Sequence, residues 1–107
     1  MILPPMTDLR PKGHEDMLRL RRNGIRDYSV FEDRQRIGRI RFADERTPGI
    51  WLWNVTIHLP GILPMGSATD ADTARAEFKA AWEALKARTT PEQRASAYHA
   101  MNIRDAD

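Results

Sequence analysis

Three histidines and no cysteine limit the chemistry this 107-residue chain can do. His14, Glu15 and Asp16 are a run of metal-ligating types. A metal needs three or four ligands held by a scaffold and supported behind. These three follow Pro4, Pro5, Pro11 and Gly13, in a stretch without hydrophobic period. That composition predicts a tail over residues 1–14, so no metal site is expected. His58 closes an apolar stretch with no partner nearby in sequence to make it a general base. Ser29, Ser67 and Ser96 have no nucleophile-elbow context. The segment PGILPMG lacks the lysine and helix start of a phosphate loop. No catalytic residue and no cofactor is expected, which leaves a small enzyme as the least favoured class.

Binding chemistry is better represented. Of the 17 basic residues 14 are arginine, and their distribution is uneven. From Arg19 to Arg41 eight arginines face three acids, Asp27, Glu32 and Asp33, an excess of +5 in a chain whose net charge is +2. Arginine clusters of this kind meet phosphates or acidic partners. Absence of cysteine removes disulfide and thiol chemistry and fits a cytoplasmic protein. No segment has the length or apolarity of a membrane span, and the N-terminus lacks a signal-peptide pattern.

Strands and a helix must position these groups. Asn23-Gly24 is a two-residue hairpin signal that would pair 17–22 with 25–32. A short helix capped at Gly24 is the other reading, so 17–22 stays open between strand and helix. DYSVFE and RIGRIRFA alternate. Gly38, Ile40 and Phe42 share one side, and Ile37, Arg39 and Arg41 the other. DRQR, 33–36, forms the turn between them. In IWLWNVTIH, Trp51, Trp53, Val55 and Ile57 fall together, opposite Ile50, Leu52, Asn54, Thr56 and His58. LPGILPMG is a loop.

Thr69 and Asp72 have capping-box spacing. Ala74, Phe78, Ala81, Trp82 and Leu85 then make one helical stripe. Thr90, Pro91 and Gln93 start a second, short helix to about residue 102, with Ala95, Tyr98 and Met101 or Asn102 inward. The expected fold is α+β: a three- or four-stranded antiparallel meander packed against one long helix, plus a short C-terminal helix. It would form a single domain over 15–102, followed by a flexible end at 103–107. Trp51 and Trp53 should lie under the helix against Phe78 and Trp82.

DYSV (27–30), GRI (38–40), WLW (51–53), GSA (66–68) and FKAAW (78–82) together resemble a pattern in a family of short bacterial proteins with no assigned activity. The resemblance covers about residues 26–86 and implies one domain without implying catalysis. Such proteins often have glycine after the turn aspartate. Arg34 stands there in this chain, which favours a turn longer than two residues. The layout of strands followed by a helix is also similar to plant AP2-type and integrase arm-binding DNA domains, whose open sheet face enters the major groove.

The face opposite the helix therefore becomes the candidate surface, with Phe31, Arg39, Arg41, Leu52, Asn54 and Thr56, and Arg26 near its end. Its apolar members suit an unknown protein partner or a homodimer. Its arginines, amide and aromatic suit DNA or RNA as the alternative. The few net charges count against a polyanion. The expected function is a non-enzymatic binding module.

Overall fold

The computed structural model describes residues 18–106. The tail expected at 1–14 and the His14 cluster lie outside them. The chain is α+β. Five strands, β1 (Leu18–Gly24), β2 (Asp27–Glu32), β3 (Gln35–Ala43), β4 (Ile50–Val55) and β5 (Met65–Ala68), are followed by helices α1 (Ala71–Ala87) and α2 (Pro91–Ala106). The strands form one antiparallel sheet in chain order, β1-β2-β3-β4-β5.

Period two builds the buried side. Val30, Ile40, Trp53 and Val55 are inside, and α1 lays Ala74, Phe78, Trp82 and Leu85 over them. Trp53 meets Phe78 edge-on at 6.0 Å between ring centroids, and its indole N–H donates to Glu77 Oε1 at 3.0 Å. Gly38 makes this packing possible. A Cβ there would overlap two ring carbons of Phe78 and stand 2.6 Å from the Asn54 carbonyl oxygen. Trp51 is only half-buried. It meets Phe42 edge-on at 5.4 Å, a contact that the expected burial under the helix did not include.

Four features of the sheet and its turns differ from the sequence-based expectation. The sheet has five strands rather than three or four, because Met65 to Ala68, assigned partly to a loop, pair with β4. Gly66 fits there: a Cβ would run into the Trp53 ring. Ile37 does not share a side with Arg39. The register slips between Val30 and Phe31, a β-bulge that turns Ile37 into the core beside Gly38. The first hairpin turns at Ile25-Arg26 rather than Asn23-Gly24, with Arg26 at φ 56°. The slip between Arg22 and Gly24 is a second irregularity. The second hairpin uses a two-residue turn after all, with Asp33 at φ 57° supplying the left-handed conformation expected of a glycine.

Both helices have caps that the residue types explain. Asp70, rather than Thr69, caps α1, its carboxylate accepting the Thr73 N–H at 2.7 Å. Thr90 and Gln93 form the expected reciprocal box on α2: Gln93 N–H donates to Thr90 Oγ1 at 3.0 Å, and Thr90 N–H to Gln93 Oε1 at 2.8 Å. Helix α2 is 16 residues, nearly as long as the 17 of α1. The end expected to be flexible from 103 is instead helical to Ala106, with Asp105 held by Arg36 at 2.9 Å. Ala97 and Met101 are its buried residues, and Ala95 is exposed. Arg94 ties the helices together by donating to the carbonyls of Lys86 at 3.0 Å and Thr89 at 2.9 Å.

Candidate functional site

The helices cover one side of the sheet, and the registers show what stands on the other. One cross-strand row runs Arg21, Ser29, Arg39, Asn54, Met65, and the next Asp27, Arg41, Leu52, Ser67. Arg19 lies opposite Phe31. Five of the seven residues singled out in the sequence, Phe31, Arg39, Arg41, Leu52 and Asn54, therefore share this open face. Arg26 does not: its guanidinium stacks on the Phe42 ring at 4.8 Å, and Phe42 belongs to the helix-bearing side. Thr56 follows the end of β4, its N–H donating to the Ile37 carbonyl at the bulge. Its Oγ1 is enclosed, with no partner among the described residues, so it presents no hydroxyl to a ligand on the face.

The central arginines are already engaged. Arg39 donates to both Asp27 oxygens, at 2.9 and 2.6 Å, a bidentate pair. Hydrogen bonding from Arg39 holds the Asp27 carboxyl below the usual carboxylate range, and Asp27 raises Arg39 in turn. Asn23 and Ser29 extend this network: Ser29 Oγ donates to Asn23 Oδ1, and the Asn23 amide to Asp27 Oδ1. Arg41 reaches Glu45 at 3.2 Å, and that bond lowers the Glu45 carboxyl after a larger contribution from its own backbone. Arg36 turns away to Asp105 of α2. Glu32 binds Lys86 of α1 at 2.6 Å rather than any arginine.

What remains lies toward β1. Arg19, Leu20, Arg21, Phe31, Asp33 and Arg34 line a shallow groove of about 400 Å³. The Arg21 guanidinium stands over the Phe31 ring at 5.0 Å. Among the described residues Arg19, Arg21 and Arg34 make no ion pair. The sequence does not single out Arg19 and Arg21, because 17–22 reads as either strand or helix. The alternation of Leu18 and Leu20 with Arg19 and Arg21 was the available signal.

His58 joins Glu92, Gln93 and Ser96 around a second groove, of about 480 Å³. The fold thus brings a histidine and a serine to one surface that sequence distance had kept apart. Among the described residues no group of three or more metal-ligating side chains could hold an ion. No helix among them is long and apolar enough to cross a membrane. No family model, no curated protein and no solved structure matches the chain.

Proposed function

We propose that the protein is a non-catalytic binding module that takes a protein partner on its open sheet face. The observation that carries this reading is the closed state of the central arginines. Arg39 is bidentate to Asp27 and Arg41 is paired with Glu45. A phosphate at that place would have to displace a carboxylate already held at 2.6 Å. The middle of the face is thereby nearly neutral, and apolar groups flank it: Phe31 and Leu52 half-buried, Met65 76% exposed. Protein interfaces combine such apolar centres with a polar surround.

Capture experiments with wild-type, Phe31→Ser and Leu52→Ser protein test the reading. A specific partner, identified by mass spectrometry, should be retained at moderate salt by the wild type and lost by both variants. Sedimentation across a concentration series shows whether that partner is a second copy. Retention of the partner by both variants refutes the reading.

Nucleic acid is the second reading, favoured by Arg19, Arg21 and Arg34, which make no ion pair among the described residues. It predicts amide shifts around those residues on adding a mixed-sequence duplex or a single strand. Those shifts should fade steeply between low and moderate salt as counterion release is lost.

A further inference from the structure

The edge strand β1 pairs only with β2 among the described strands. Its seven residues, Leu18–Gly24, hold three arginines and no acid. Leu18 already accepts from the Arg75 guanidinium through its carbonyl at 2.8 Å, which leaves Arg19 to Arg22 as the open stretch among the described residues. Arg19 and Arg21 stand on one face, two residues apart, which in a strand is about 7 Å. The Phe31 ring carries Arg21 above it, and Arg34 closes the groove from the turn. The lining is three positive charges against one negative, Asp33.

Edge strands commonly carry charge so that copies do not pair. Here the charge has one sign. Two β1 edges side by side would oppose like charges across a seam, which disfavours a second copy of this chain. An acidic segment meets the opposite condition. In an extended chain, alternate side chains share a face with the same two-residue period. Carboxylates at positions i and i+2 therefore match Arg19 and Arg21, and an apolar residue between them turns toward the side of Leu20.

We infer that β1 receives an extended segment of a partner protein, with acidic and apolar residues alternating, as a sixth strand. This rests on the reading of the protein as a protein-binding module and names where the partner docks. The backbone of β1 provides hydrogen bonds, and the arginines select the charge.

The probe is a labelled, end-blocked peptide of alternating Glu and Val, read by fluorescence anisotropy and by amide hydrogen exchange. A Lys–Val peptide and a thymidine single strand of equal length serve as comparisons. The Glu–Val peptide should bind and slow exchange in β1, and the Lys–Val peptide should not bind. Arg19→Ser with Arg21→Ser should weaken binding by about tenfold or more, since each charge-assisted contact is lost. Arg34→Ser, in an exposed turn where strand formation is not at stake, should weaken it less, by about three- to fivefold.

The inference fails if the peptide does not bind, if it binds without protecting β1, or if the thymidine strand binds more tightly. Leu52→Ser separates this failure from that of the open-face reading, because Leu52 lies on β4, away from the groove. If Leu52→Ser loses the captured partner and the peptide still fails to bind, only the edge proposal is wrong. If the peptide binds β1 and Leu52→Ser keeps the partner, the edge stands and the open face is not the interface.

Discussion

Replacing Gly38 by alanine should destabilise the domain although it adds a single methyl group to a strand. Its φ is not in the left-handed region, so conformational freedom is not the reason. Space is. An ideal Cβ would overlap Cε2 and Cζ of Phe78 and stand 2.6 Å from the Asn54 carbonyl oxygen. Phe78 is fully buried and fixed edge-on by Trp53, and the carbonyl belongs to the paired strand β4. Neither obstacle is the free end of a flexible side chain, so strand or helix must shift. Overpacking of this kind costs about 1–3 kcal/mol. Alanine also restricts the unfolded chain, which offsets about 0.4–1 kcal/mol. The net is a loss, and each kcal/mol lowers Tm by about 4–8 °C in a domain of this size. Gly24→Ala is the internal reference: nothing lies within 4 Å of its Cβ, and its φ is not positive either. Urea unfolding followed by tryptophan fluorescence measures both. Gly24→Ala should be neutral or slightly more stable, and Gly38→Ala clearly less. Equal stability of the two variants would refute the argument that Phe78 packs directly on the Gly38 backbone.

Three other expectations follow from the same contacts. Trp53→Ala should cost about 3–5 kcal/mol by urea unfolding, the usual range for removing a buried large aromatic, since only 7% of this side chain is exposed. The Asp27 carboxyl should titrate below the ordinary aspartate range by carboxyl-carbon NMR, and Arg39→Ala should bring it back up. Because the folded value is depressed, the pair's contribution to stability is complete above the unfolded aspartate value of about 3.9 and is lost as pH falls through the lowered folded value. Asp105→Asn should hardly change global stability, since both partners are partly exposed, but should speed hydrogen exchange over the last turn of α2 by releasing Arg36.

Most of the sheet and the main helix could be read from period alone. Trp53, Val55, Phe78, Trp82 and Leu85 are spaced so that only one side can be buried, and each is inside. The features that escaped are those in which period breaks or distance in sequence is large. Ile37 next to Gly38 reads as an alternation with Arg39, yet a glycine within a strand also marks bulges and close approach. Here it marks both. Strand β5 has four residues, too few for a pattern, and depends on Gly66 lying against the Trp53 ring. Asn23-Gly24 has the residue types of a turn, but the Asn23 side chain is taken by Ser29 and Asp27 and the chain reverses two residues later. The end of α2 depends on Arg36 and Asp105, 69 residues apart, a pairing that no local rule reaches. Of the site, the open face was legible because period two assigns Phe31, Arg39, Leu52 and Asn54 without further information. Which of its arginines are occupied was not, because acids from β2, from the loop after β3 and from α2 decide it.

That occupancy changes the meaning of the basic segment. The sequence carries an excess of +5 between Arg19 and Arg41. In the fold, Arg36, Arg39 and Arg41 are bound to acids and Arg26 is stacked on Phe42. Among the described residues the arginines of this segment without an acid are Arg19, Arg21, Arg22, Arg26 and Arg34, on β1 and in the turns at either end of β2. Face and edge then differ in the physics of any contact they make. Leu52 and Met65 would contribute by leaving water, a term that added salt does not weaken. The β1 arginines would contribute by attraction across exposed surface, which is screened as the Debye length falls from about 10 Å at 0.1 M salt to about 3 Å at 1 M. A partner held at both places should therefore lose association rate first as salt rises, while its dissociation, governed by the apolar face, changes little. Rate measurements across that range, on wild type and on Arg19→Ser with Arg21→Ser, separate the two contributions. A variant whose association rate keeps the salt dependence of the wild type would show that the edge takes no part.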